Sequence, residues 1–356
     1  MIIFLAVFAV ICLIGMQIKP KDTDKFITDY MSVDKTMSIK GIFIIIVFFS
    51  HFNSYVTYTA PMDVIYLEYF KKIGQCMVTL FMFYSGYGVM ESVKKKDIRY
   101  VHKMPVTRIL GTLFRFDIAI LFFVIVNLVF GMQFNAKQFI LSLIGWDSLG
   151  NSNWYIFAIL IAYALTYIAF EIFRNKGRYY PAAVFVTAGC MTYVFILAYF
   201  KLKPVHWYDT IICYACGIWY SLLRDKIEKI INCNIFVYLV VLLATGAGAA
   251  YFGMNRSASF VHTELCMLFF TAFIVVLSMH VSFHNKMLRW CGQHLFGIYI
   301  LQRIPMVVFR KLGLADFNIY LYFLFCLAVT IPFAWVFEKY TGKLWSAITS
   351  QKKKSA

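Results

Sequence analysis

Lys40 and His51 stand eleven residues apart in one apolar run, Ser38-Ile39-Lys40-Gly41-Ile42-Phe43-Ile44-Ile45-Ile46-Val47-Phe48-Phe49-Ser50-His51-Phe52. An ionisable side chain in lipid is costly, and by default it marks a pathway or a reaction centre. At 100° per residue, eleven residues make three turns plus about 20°, so both side chains share one helix face. The rise between them is about 16 Å, which sets Lys40 at a membrane surface and His51 near mid-depth. An imidazole ionises close to neutrality and is suited to proton transfer.

Other polar groups interrupt apolar sequence further along. Tyr84-Ser85-Gly86-Tyr87-Gly88 places a hydroxyl before two glycines, which permits close backbone approach or a local irregularity. The connection over 94–108 is the most basic in the chain and holds Lys103 and Arg108. Arg115 lies one or two turns inside the next span, where it faces the bundle interior or snorkels to the interface. Trp154 and Tyr155 open another span, and Tyr299, Gln302 and Arg303 sit inside a late one. Glu338 reads as a charge at a helix end. The remaining histidines have no partner at metal-ligand spacing, and Cys213 and Cys216 lack the second pair of a zinc site, so no metal is expected.

These groups need a scaffold of membrane helices. The chain of 356 residues is 62% hydrophobic and 14% charged, with a mean hydropathy of +0.73. So little charge excludes an ordinary soluble domain. Apolar runs long enough to cross a bilayer recur over 2–18, 40–58, 73–91, 110–132, 153–173, 182–200, 206–223, 233–253, 262–282, 294–312 and 317–338. The expected fold is therefore an all-α polytopic helix bundle of about eleven transmembrane helices. Ala244 and Gly248 have the spacing that lets two helix backbones pack closely.

Net charge of +17 could suggest nucleic acid, but the basic residues are scattered over connections. Alternate connections hold 24 Lys and Arg against 8 in the others. That bias puts the N-terminus outside, with Lys40, the 94–108 connection and the C-terminus in the cytoplasm. The N-terminal apolar run lacks a basic leader and a small-residue cleavage site, so it reads as an uncleaved span. The expected divisions are an N-terminal helix and linker (1–38), a ten-helix core (39–342) and a basic cytoplasmic tail (343–356).

Taken together, these motifs resemble the acyltransferase-3 family of integral membrane acyltransferases, in order from Lys40 to Tyr340. Lys40-x10-His51 has the spacing of that family's Arg-x10-His. Phe81-Met82-Phe83-Tyr84-Ser85-Gly86-Tyr87 is similar to its F-F-x-x-S-G-[FY], and 103–109 to its K/R-x-x-x-x-R-[IL]. Trp154-Tyr155-Ile156, Phe296 to Gln302 and Glu338-Lys339-Tyr340 follow as weaker echoes. Lys40 replaces the usual arginine, Gln302 a common histidine and Tyr340 a proline, and a Glu-Glu pair common after the Trp motif is absent. Lys keeps the charge of Arg but loses its bidentate fork.

The resemblance implies transfer of an acyl group, commonly acetyl, from cytoplasmic acyl-CoA to a hydroxyl. The acceptor it implies is an envelope carbohydrate or lipid-linked sugar, in the plasma membrane of a bacterium. His51 would be the general base. Lys40, Lys103, Arg108 and Arg115 would hold the phosphates of acyl-CoA, a co-substrate rather than a resident cofactor. Ser85, Trp154, Tyr155, Tyr299 and Gln302 would contact substrate. Membrane lipid and polysaccharide-synthesis proteins are the further partners it suggests, and nucleic acid is not one. Two other readings stand beside this one: a transporter or flippase for a polysaccharide precursor, and a non-catalytic member of a polysaccharide-synthesis complex.

Overall fold

A computed structural model describes residues 1–18, 26–73, 75–173, 177–201 and 203–354. Lys19, Lys21, Lys25, Arg174 and Lys176, all counted in the charge bias, lie outside the described residues. The helices are α1 (Ile2–Leu13), α2 (Val33–Phe52), α3 (Pro61–Ile73), α4 (Cys76–Lys96), α5 (Ile98–Val101) and α6 (Gly111–Val129), which a π-helical turn, Pro105–Leu110, introduces. Then come α7 (Ala136–Leu143), α8 (Trp154–Ile172), α9 (Tyr179–Phe195), α10 (Ile211–Ile231), α11 (Ile235–Met254) and α12 (Phe260–Ser278). The last are α13 (Lys286–Gln293), α14 (Leu295–Leu301), α15 (Arg303–Lys311), α16 (Leu314–Phe317) and α17 (Ile319–Lys354).

The protein is an all-α membrane helix bundle. Seven helical stretches among the described residues are long and apolar enough to cross a bilayer. Adding α1, α2, α10 and the α14–α15 pair to these accounts for the eleven segments expected. Polar side chains start several helices: Ser32, Asn135, Asn234, Ser259 and Asn285 each accept a bond from an otherwise unpaired backbone N–H.

Two glycine exchanges set the centre. A Cβ on Gly41 would lie 1.7 Å from the Leu288 carbonyl oxygen, and one on Gly292 would lie 1.9 Å from that of Met37. Backbone therefore meets backbone where α2 crosses α13. Gly86 against Tyr214 and Gly217 against Phe83 do the same for α4 and α10, at 2.0 and 2.1 Å. Gly86 is thus a packing residue, whereas nothing lies within 4 Å of a Cβ on Gly88. Gly248 makes room for the Phe269 ring of α12 rather than for a second backbone. The helix α11 lies at the periphery, its apolar side chains facing outward.

Several elements depart from expectation. The stretch 59–72 was expected to be a connection because Asp63, Glu68, Lys71 and Lys72 dilute its hydropathy, yet α3 fills it, burying Tyr66 and Phe70. The basic connection over 94–108 is mostly helical: α4 runs on to Lys96, and Asp97, at φ 53°, turns the chain into α5. Met16–Ile18 and Val281–Phe283 pair as a short antiparallel ribbon, with Gln17 opposite Ser282. The expected span over 294–312 is broken at Gln302. Pro305 explains the break, because its ring clashes with the carbonyl four residues back, that of Leu301, where α14 ends. The last helix, α17, runs without a break through 342.

Candidate active site

The helix α2 carries a polar cavity at each end. At its start, a cavity of about 740 Å³ is lined by Lys40, Tyr84, Ser85, Lys95, Lys96 and Arg108, among others. A neighbouring cavity of about 600 Å³ adds Arg99, Tyr100 and Lys103, and shares Lys95, Lys96 and Arg108 with the first. The two form one cationic basin. The ammonium of Lys40 sits 5.3 Å from the centre of the Tyr84 ring. The π-helical turn carries Arg108, whose Nε donates to the Tyr100 hydroxyl at 3.1 Å and whose guanidinium lies 6.0 Å from the Tyr163 ring centre. Arg115 lines neither basic cavity, because it lies two turns further along the chain, on α6. In place of Arg115, Lys95 and Lys96 complete the basin.

At the other end of α2, a cavity of about 600 Å³ is lined by His51, Trp154, His206, Arg256 and Arg303, among others. The connection before α8 is built to present Ser152 there. Asn151 accepts from the Leu149 N–H at 2.9 Å, Asn153 donates to the carbonyls of Gly145 and Asp147 at 2.9 and 2.8 Å, and Asn127 donates to that of Leu149 at 3.1 Å. Ser152 Oγ then accepts from Arg303 Nε at 2.9 Å and lies 3.5 Å from His51 Nε2. Arg303 also reaches the Tyr55 hydroxyl at 3.4 Å. The other ring nitrogen of His51, Nδ1, is buried with no hydrogen-bond partner.

Aromatic side chains fill the space between the two ends. The Tyr299 ring lies 6.0 Å from that of His51 and 5.3 Å from that of Tyr155, centre to centre, and Tyr155 lies beside Ser85. The Tyr299 hydroxyl is buried beside Ser152. His51, Tyr299, Tyr155 and Ser85 therefore form a continuous line from one cavity to the other.

Gln302 does not join them. It is fully buried, and its amide donates to the carbonyl of Tyr299 on its own helix at 3.1 Å. Arg303, the next residue, lines the cavity instead. Arg303 was visible in the sequence as an interior charge but had no assigned role, and Ser152 had no signal beyond its neighbourhood to Trp154. His206, in the short turn Val205–Trp207 between the helices, packs its ring 5.9 Å from Trp154. Burial first, then Arg256, Arg303 and Lys203, hold His206 below the ordinary histidine value.

The helix bundle thus places a cationic basin at one end of α2 and a buried histidine at the other. The chain belongs to the acyltransferase-3 family, whose acyltransferase domain matches residues 38–339. It is a membrane O-acyltransferase. No curated protein matches the chain, and neither does any solved structure.

Proposed function

We propose that the protein moves an acyl group, commonly acetyl, from cytoplasmic acyl-CoA to a hydroxyl of an envelope carbohydrate or lipid-linked sugar. The observation that carries this reading is the placement of the cationic basin and His51 at opposite ends of α2, joined by the line of Ser85, Tyr155 and Tyr299. Phosphates of coenzyme A suit the basin, since Lys40, Lys103 and Arg108 offer charge-assisted bonds. An extended pantetheine arm would carry the thioester inward toward His51 as the rings of Tyr155 and Tyr299 move aside.

In this reading Ser152 and Arg303 fix the histidine. Arg303 and the Nε2–H of His51 both donate to Ser152 Oγ, which leaves Nδ1 with a free lone pair. That nitrogen takes the proton of the acceptor hydroxyl as its oxygen attacks the thioester carbonyl. The tetrahedral intermediate then collapses, the carbon–sulfur bond breaks and coenzyme A leaves as the thiolate, to be reprotonated. The Tyr299 hydroxyl and the Arg303 guanidinium are the donors nearest to where negative charge develops on the carbonyl oxygen.

Proteoliposomes given radiolabelled acetyl-CoA and an envelope glycan fraction test the reading. Thioester loss matched by label in the glycan is expected. Glycan crossing the membrane with no thioester loss would overturn it in favour of a transporter.

A further inference from the structure

The His51 cavity has an apolar neighbour. An apolar groove of about 650 Å³ adjoins it, walled by Tyr69 of α3, Cys76 of α4, Ala249 and Ala250 of α11, and Phe270 and Phe273 of α12. Glu68, Gly253 and Met254 line both spaces, so the groove lies directly beside the cavity. The wall formed by α11 belongs to the helix that is least covered by protein, so the groove lies at the lipid-facing rim of the bundle.

Charge distinguishes the two spaces. The groove is apolar apart from Glu68 at its border with the cavity, whereas the cavity collects Lys71, Arg256 and Arg303. Lys71 meets Glu68 at 2.9 Å, and Arg256 meets Asp209 at 3.2 Å. Among the described residues, the hydrogen-bonding partners of Arg303 are the hydroxyls of Ser152 and Tyr55, so no carboxylate neutralises it there. A cation held by neutral groups beside an apolar channel complements an anionic head on a hydrocarbon chain.

We propose that the groove holds the hydrocarbon chain of a sugar linked to lipid through phosphate, with its anionic head at Arg303 and a sugar hydroxyl at His51. This rests on the acyl-transfer reading and narrows its acceptor to one that arrives through the plane of the membrane. A water-soluble glycan would leave the groove empty and gain nothing from it.

The test compares two acceptors with the purified full chain and acetyl-CoA: a polyprenyl-diphosphate monosaccharide, and the same sugar diphosphate on a short, water-soluble alkyl chain. The long-chain acceptor is expected to show a KM lower by about tenfold or more. Ala249→Phe, which fills the groove away from His51, should remove that advantage and leave the short-chain KM within about twofold. Ala249→Val serves as the milder variant where the phenylalanine prevents accumulation. A diazirine placed on the polyprenyl chain should crosslink to peptides of α11 or α12 in the unmodified protein, whether or not turnover occurs. Equal KM values, equal loss with both acceptors in Ala249→Phe, or crosslinks confined to other helices would overturn the groove assignment. Crosslinks in the groove with no thioester loss from either acceptor would leave the groove standing and sink the acyl-transfer reading on which its chemistry depends.

Discussion

His51 has one ring nitrogen near Ser152 and one with no partner, and this asymmetry makes the role of each neighbour testable. Removing Ser152 should loosen the ring without deleting the base. Ser152→Ala is therefore expected to lower kcat by about tenfold, far less than loss of a general base, which costs about 10² to 10⁴. Arg303→Lys keeps the charge but loses the planar fork that reaches Ser152 and Tyr55 together. Its kcat should fall with Ser152→Ala, and combining the two should cost less than the sum of the separate losses. Strict additivity in that double-mutant cycle would break the proposed link. His206 lies in the same cavity but is held below its ordinary value by burial and nearby cations, so it is uncharged at neutral pH. His206→Gln should leave the pH–rate profile between about 6.5 and 8 unchanged in shape. At this scale the sequence was only partly legible. His51 and Lys40 stood out because charge in an apolar run is rare, whereas Ser152 depends on bonds from Asn127, Asn151 and Asn153 that spacing does not encode.

Helix crossings decide whether those residues meet. At the α2–α13 crossing, a Cβ on Gly292 would press on the Met37 carbonyl, and backbone cannot yield as a side chain does. Gly292→Ala should therefore destabilise the protein by about 1–3 kcal/mol, read by thermal unfolding in detergent. Gly88→Ala meets open space within α4, and should be neutral or stabilising by up to about 1 kcal/mol through helix propensity. Equal effects of the two would contradict the packing account. Pro305 acts in a different way, by leaving the Leu301 carbonyl without its helical N–H partner. Pro305→Ala is expected to restore that bond and leave kcat within about twofold, because Gln302 already has helical backbone angles and Arg303 keeps its direction. Most long helices were legible because hydropathy runs over twenty residues. The helix α3 and the break at Gln302 were not, since one is an amphipathic segment with four charges and the other depends on a single ring clash.

Across the whole molecule, the proposed reaction carries an acyl group from one end of α2 to the other. The family assignment and the all-α bundle make the protein a membrane acyltransferase. The cationic basin gives the proposed passage its direction, with donor phosphates expected at Lys40 and Arg108 and the acceptor at His51. The basic residues of the basin come from α2, α4, α5, the turn after α5, the π-helical turn and α10, so only the fold could show that Lys95 and Lys96 belong with Lys40 while Arg115 does not. The central claim is that His51 is the base, and acyl transfer by purified His51→Ala tests it most directly. With radiolabelled acetyl-CoA and an envelope glycan fraction, the account predicts that label transfer falls by about 10² to 10⁴ while expression and thermal unfolding stay at the level of the unmodified protein. Near-normal transfer by a well-folded His51→Ala protein would contradict it.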